Sequence, residues 1–411
     1  MNLSELVTGL DIGTSKTCVV IGEVHPGGRV DIIGEGVEPS KGIQRGVVID
    51  IEAAADTIRK AVAKAQRVAG AQISSCFVGV TGEHISSMNS KGVVAITHPS
   101  RVIRQEDVDR ALESARVVVL PPDREIIHAI PTRYSIDGMD GIQSPVGMNG
   151  QRLQVEAHIV HGTSTFLQNL NQSVNKAGLA VERFVLESYA AGNAVVSDPE
   201  KGLGVALVDI GAGTTEVAIY AGGSIVFSSV LSVAGNHVTQ DIAVGLQCFL
   251  AEAERVKLLH GSAAGSDEDG KDGFFSITRI GQEAASKLPV KLLNEIVEPR
   301  IAEILQMVAS AIEQAGGRSL IPGGVILTGG CSQMKGITQI AESVLGVPCR
   351  LGRTFGISGM ADAVSAPSYS IAVGLAVYGS REVASSRQEA PAKGVSGVLA
   401  RLKNALLGSE E

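Results

Sequence analysis

The sequence predicts an α/β fold of two duplicated α/β halves with an inserted α+β segment. Three observations carry that prediction. A strand, a Gly/Thr turn and a second strand near the start recur in the second half of the chain, strands alternate with helical periodicities through most of the sequence, and one stretch of the first half changes texture. At 411 residues the chain also exceeds what one hydrophobic core usually serves, so more than one globular unit is expected.

Apolar alternation through Val7, Leu10 and Ile12, and again over 17–21, predicts two strands joined by the turn Gly13-Thr14-Ser15-Lys16. Residues 205–220 repeat the pattern without a gap: Asp11 falls on Asp209, Ile12 on Ile210, Gly13 on Gly211, Thr17 on Thr215 and Val19 on Val217. Between the two hairpins, Ile58, Val62, Ala65 and Ala69 recur at helical spacing over 51–69, and 74–80 reads as a strand. From residue 83 to 162 shorter elements take over: a strand at 92–96, a helix at 105–115, a Pro121-Pro122 break and a strand ending at 155–160. This is the inserted subdomain. Helical periodicity resumes over 165–177, followed by a strand at 181–186 and a helix from Ser188. In the second half, the acidic run 261–270 predicts a solvated loop, 290–313 an amphipathic helix, and 323–330 a buried strand entering a glycine turn before a helix from about Lys335. Residues 380–393, rich in Ser, Arg, Glu, Gln and Pro, predict a flexible linker, with the folded body ending near Gly379.

Composition excludes several functions. A net charge of -8 and a pI of about 5.6 argue against a nucleic-acid partner, which would require a basic face. Cys18, Cys76, Cys248, Cys331 and Cys349 are scattered without CxxC spacing, so neither a disulfide framework nor a zinc site is expected. His158 and His161 lack the Cys or carboxylate companions of a metal site and read as ordinary strand histidines. The start, Met1-Asn2-Leu3-Ser4-Glu5, has no basic flank or apolar core of a signal peptide, and no segment approaches the roughly 20 apolar residues of a membrane span. Any membrane contact is therefore expected to be peripheral.

The two turns carry the chemistry. Gly, Ser and Thr let successive backbone N–H groups face one concavity, a nest for phosphate oxygens, and two nests can clamp one triphosphate. The candidate nucleotide-binding residues are Gly13, Thr14 and Ser15 in the first turn and Gly211, Ala212, Gly213, Thr214 and Thr215 in the second, with Lys16 offering a point charge to the β- and γ-phosphates. Asp11 and Asp209 precede the glycines, where a carboxylate can hold Mg²⁺ through its waters or orient an attacking water. Both are candidate nucleotide-site metal residues, and Asp209 is the candidate catalytic residue. One such turn could equally belong to an ordinary hairpin. The third element, a strand ending Thr328-Gly329-Gly330-Cys331, adds a glycine pair where backbone can approach a nucleoside closely.

In this order of hairpin, hairpin and glycine pair, the chain resembles the actin, Hsp70 and hexokinase superfamily over nearly its whole length. The resemblance implies an actin-like two-lobed ATPase fold with ATP and Mg²⁺ in the cleft, and connecting helices near 188–196 and 369–378. It also implies that Glu254 and Lys257, in Ala253-Glu254-Arg255-Val256-Lys257, approach the base and ribose, although a solvated helix face would look the same. Within the superfamily, LDIGTSKT at the start, GIQRGVVID at 42–50, Gly79-Val80-Thr81-Gly82, Glu298-Pro299-Arg300 and the inserted segment resemble the FtsA family of bacterial division proteins.

That resemblance implies subdomain 1A at 1–83, 163–195 and 366–379, the insertion 1C at 84–162, 2A at 196–236 and 302–365, and 2B at 237–301. It implies self-assembly into an actin-like filament, contact of 1C with later division proteins, and binding of the C-terminal peptide of FtsZ through 2B, with Lys291, Glu298, Arg300 and Glu303 as candidates. The location implied is the cytoplasmic side of the bacterial inner membrane at the division site. In the tail, 394–411, a helix would align Val395, Val398, Leu399, Leu402 and Leu406 in one stripe flanked by Arg401 and Lys403, an amphipathic helix suited to a membrane surface. Each buried Val or Leu contributes roughly 1.5 to 3 kcal/mol before ordering costs, so one tail binds reversibly and a filament of tails binds far more tightly. The tail departs from the family pattern in lacking Trp and Phe. Two other readings share the cleft: a small-metabolite phosphotransferase, and a pilus-assembly protein of the PilM type.

Overall fold

The computed structural model describes residues 5–264, 273–282 and 284–389. Strand Glu5–Ile12 pairs antiparallel with Lys16–Val24, setting Asp11 opposite Cys18 and Ile12 opposite Thr17. They lie inside a six-stranded sheet ordered Ala180–Leu186, Ser75–Val80, Glu5–Ile12, Lys16–Val24, Val30–Pro39 and Ile357–Gly359. Leu10, Val19, Val20 and Ile21 are fully buried, as expected for central strands covered on both faces. Helix Ile51–Ala69 packs on this sheet. Its start is set by Asp50, whose carboxylate accepts from the Ala53 N–H at 3.0 Å, and its end by Gly70 in the left-handed region.

The second hairpin repeats the first in register. Strand Val205–Ile210 pairs with Thr215–Ala221, with Asp209 opposite Glu216 and Ile210 opposite Thr215. Its five-stranded sheet runs Ser224–Leu231, Thr215–Ala221, Val205–Ile210, Val325–Thr328 and Cys349–Leu351. The parallel pairing of Asp209 with Thr328 carries the glycine pair to the same sheet end as the second turn. Helices Glu187–Val195 and Ser370–Glu389 pack against each other between the two sheets, the connection implied at 188–196 and 369–378.

The insertion has its own core. Its sheet is ordered Ser86–Ala95, Arg152–Thr163, Arg124–Ile136 and Met139–Ile142, and helix Gln105–Arg116 packs on it around Ile103, Ala111, Leu153, Val155 and Ile159. Strand Arg124–Ile136 escapes the sequence reading because Pro131 interrupts it. The register shifts between Glu156 and Ala157 opposite that proline, and a bulge is where a strand tolerates one.

Two expectations are corrected. Residues 380–389 are not linker: helix Ser370–Glu389 runs through them, Ser380 is buried, Arg381 donates to Asn193 Oδ1 at 2.7 Å, and Arg183 pairs with Glu382 at 3.1 Å. Arg, Glu and Gln read as a polar tether, but they are good helix formers, and here Arg381 and Glu382 find tertiary partners. The boundary placed between residues 301 and 302 falls inside one continuous helix, Val290–Ala315, whose buried side chains on both sides of it share a core. The helix expected from about Lys335 is present: after a single 3₁₀ turn, Cys331–Gln333, it starts at Ile337. The tail residues Val395, Val398, Leu399, Leu402 and Leu406 lie outside the described residues. Among the described residues no helix is long and apolar enough to cross a membrane.

Candidate functional site

Both turns and the glycine pair open into one cavity of about 650 Å³ between the lobes. Asp11, Gly13, Thr14, Ser15, Lys16, Gly211, Ala212, Gly213, Thr214, Glu254, Lys257, Gly329, Gly330 and Cys331 all line it. Thr215 does not. Its side chain is fully buried in the sheet, and its hydroxyl donates to Val233 O at 2.6 Å.

The turns meet across the cleft. A Cβ on Gly213 would stand 2.4 Å from Thr14 Oγ1, so only glycine lets the second turn close on the first. Thr14 is held in turn by the Gly46 N–H, 3.2 Å from its hydroxyl. Gly329 has φ +89, and a Cβ there would lie 2.6 Å from Asp209 Oδ1, so the glycine pair packs directly on the catalytic candidate.

Four carboxyls gather at the floor. Asp11 and Asp209 are joined by Glu187, at the start of its helix, and Glu216, all nearly excluded from solvent. Burial pushes Asp11 up to about 6, with Lys16 opposing and Glu216 reinforcing the rise. Burial raises Asp209 well above the ordinary range, as do the neighbouring Glu216 and Asp11. Glu187 is raised for the same reason, by burial first and then by Asp11, Glu216 and Asp209. Burial also raises Glu216, although its Oε2 accepts from the Ser188 N–H at 2.8 Å, which anchors the Glu187 helix start. Neither Glu187 nor Glu216 was singled out from sequence. One signal existed: where the two hairpins align, Glu216 falls on Cys18, so an acid replaces an inert thiol at a buried register position. Burial pushes the Cys18 thiol up to about 12.

The cations are tethered. Lys16 Nζ donates to Ser368 O at 2.5 Å and lies 4.5 Å from the centre of the Tyr369 ring. Lys257 donates to Gly235 O at 3.1 Å and Thr239 Oγ1 at 2.8 Å and pairs with Glu254 at 2.6 Å. Burial also pushes the Cys331 thiol up to about 11, which disfavours the thiolate form.

Asp11 Oδ1 and Asp209 Oδ2 are buried with no hydrogen-bond partner in the protein. Such atoms are costly unless a ligand satisfies them, and acceptor oxygens beside two phosphate nests fit a hydrated Mg²⁺. No group of three or more His, Cys, Asp or Glu is arranged to ligate a metal by itself among the described residues. His158 and His161 have separate partners, as expected: Asn89 and Ser228 for the first, Arg124 for the second.

On the second lobe, Lys291, Glu298 and Glu303 are exposed, whereas Arg300 is already engaged. Its guanidinium grips Asp241 at 2.5 and 3.1 Å and also bonds Glu303, clamping helix Val290–Ala315 to helix Gly235–Leu246.

Two sheets bearing paired turns around one interlobe cavity define the actin-like fold, and solved structures share it. The PilM-PilN type IV pilus biogenesis complex superposes with a TM-score of 0.65 at 18% identity, covering 91% of this chain and 98% of that one. MreB5 of Spiroplasma citri bound to ADP superposes at 0.57 and 14% identity, covering 93% and 98%. Family models separate this chain from those neighbours: "Cell division protein FtsA" matches residues 206–374, and "SHS2 domain inserted in FTSA" matches 82–161. The cell division protein FtsA of Pseudomonas aeruginosa is 38% identical over 379 residues, covering 91% of this chain and 89% of that protein. The chain belongs to the FtsA family of actin-like cell-division proteins.

Proposed function

We propose that this chain binds Mg-ATP in the interlobe cleft, assembles into filaments on the cytoplasmic face of the inner membrane, and tethers the FtsZ ring there through its C-terminal tail. The observation that carries the reading is the convergence of both turns, the glycine pair and two unpartnered aspartate oxygens on one cavity, in a member of this family. The backbone N–H groups of Gly13, Thr14 and Ser15 and of Ala212 to Thr214 would cradle the phosphates, with the Gly211 N–H closing the second turn on Thr214 O at 3.0 Å, and Lys16 would approach the β- and γ-phosphates. Asp11 and Asp209 would hold the waters of a bound Mg²⁺, which supplies charge neutralisation at the triphosphate. Asp209, its proton affinity raised by burial, is suited to orient a water for slow hydrolysis. ATP is then chiefly a regulator, since a ligand held by both turns favours the closed cleft.

FtsZ would dock on the second lobe around Lys291, Glu298 and Glu303, with exposed Val244 on the helix packed beside them adding apolar surface. Arg300 contributes by shaping this face rather than as a free charge. Later division proteins would meet subdomain 1C. No observation favours a metabolite phosphotransferase, and the relatives that match nearly the whole chain are division proteins.

The test is vesicle co-sedimentation of the full chain and of a chain ending at Glu389, each with and without Mg-ATP. The full chain should sediment with lipid, more strongly with Mg-ATP, and the shortened chain should stay in solution. Equal sedimentation of both would remove the tail as anchor.

A further inference from the structure

The inserted subdomain is joined to the first lobe by both its chain ends, yet it also grips the second lobe. Its edge strand Ser86–Ala95 lies against Ser224–Leu231, the edge strand of the second-lobe sheet. Side chains make the contact, with no shared ladder between the two strands. Ser87 Oγ donates to Ser228 O at 2.8 Å, and Asn89 Nδ2 donates to Val226 O at 3.1 Å. His158, almost wholly buried on the neighbouring strand, joins the two: Nδ1 lies 2.8 Å from Asn89 Oδ1 and Nε2 lies 2.9 Å from Ser228 Oγ. Farther along, Ser224 Oγ donates to Pro131 O at 2.9 Å and Ser232 Oγ donates to Glu83 Oε2 at 3.1 Å.

A crevice of about 400 Å³ follows this seam, lined by Ser87, Asn89, His158, Ser228 and Gln314 among others. Hydrogen bonds that entering water can replace contribute little net stability, so a seam built this way opens more readily than a packed apolar interface. It spans the same two lobes as the contact between Thr14 and Gly213 at the cleft. A movement that parts the turns strains the seam as well.

We propose that the insertion is a cross-lobe latch: Ser87, Asn89 and His158 hold strand Ser224–Leu231 when the cleft is closed, so that latch engagement and triphosphate binding strengthen each other. The proposal rests on the cleft being the nucleotide site. Coupling between sites is reciprocal, so a partner that draws the insertion off the second lobe loosens nucleotide without touching the cleft, and bound nucleotide resists that partner.

Hydrogen exchange on the full chain, with and without Mg-ATP, tests the latch without any substitution: exchange at residues 86–90 and 226–230 should slow when nucleotide binds. The double variant Asn89→Ala/Ser228→Ala, checked for an intact thermal transition, should then bind Mg-ATP about five- to tenfold more weakly and lose that protection. Unchanged exchange in the unmodified chain, or unchanged affinity in the variant, overturns the latch while leaving the cleft assignment standing. An unmodified chain that binds no nucleotide overturns both, and that outcome is seen before any variant is made.

Discussion

The cleft and the seam of the insertion both bury ionisable side chains, and they treat them in opposite ways. In the cleft, Asp11 and Asp209 each keep an oxygen without a partner, and the surrounding carboxyls repel one another. At the seam, His158 has two partners, and the insertion's other buried histidines are paired as well: His128 accepts from the first-lobe Leu186 N–H at 3.0 Å, and His161 meets Arg124. Buried polar groups that are satisfied hold a structure together, whereas unsatisfied ones of like charge destabilise it and persist where a ligand completes them. The difference separates a site from a joint.

The sharpest way to break the comparison is to neutralise one member of each region. Asp209→Asn removes a buried carboxyl from a cluster whose members disfavour one another's ionisation, so it should raise the thermal midpoint of the nucleotide-free chain while weakening Mg-ATP binding about 100-fold, or about 2.7 kcal/mol. His158→Ala should do the reverse, destabilising the fold by about 2 to 3 kcal/mol with the smaller effect on nucleotide. Thermal melts and a nucleotide titration on both variants read this out. Loss of stability in Asp209→Asn would contradict the account.

Next in size is an opposed pH response. The Asp11 carboxyl is raised from its usual 3.8 to about 6, so the folded chain binds the proton more tightly than the unfolded one, and this stabilisation disappears as pH rises from about 4 through about 6. Burial lowers His128 to about 3 and His158 to about 4, so there the unfolded chain binds protons more tightly, and stability is gained as pH rises through those values toward 6.5. In denaturant melts of the free chain between pH 4 and 7, the advantage of Asp11→Asn over the parent should grow with pH. For His158→Gln the deficit should grow instead. Parallel curves would show that neither group titrates as its burial implies.

The smallest effect belongs to Thr215, a turn residue by sequence and a sheet residue in space. Thr215→Val should cost about 1 kcal/mol of stability, for the lost bond to Val233, and leave Mg-ATP affinity unchanged. A weakened affinity would return Thr215 to the site.

What was legible follows from period and spacing. The hairpins could be read because the Asp-Ile-Gly spacing and the alternation around it recur, and the structure repeats them in identical register. Of fifteen residues placed around one nucleotide, fourteen line one cavity and Thr215 does not; the turns do so because the ends of central strands have nowhere else to face. Glu187 and Glu216 were hidden, since an acid at a helix start or in a strand reads as surface until a third dimension buries it. Arg300 looked like a free charge on a helical face because Asp241, its partner, lies far away in sequence. Strand Arg124–Ile136 was masked by Pro131, and the helix through 380–389 by a composition that suits both tether and helix.

The central claim is that both turns act on one Mg-nucleotide, and calorimetric titration of Mg-ATP into the full chain and into Asp209→Asn tests it most directly. The account predicts saturable binding at one nucleotide per chain, dependent on Mg²⁺, and about 100-fold weaker in the variant. A full chain that takes up no nucleotide, or a variant that binds as tightly as its parent, would contradict it.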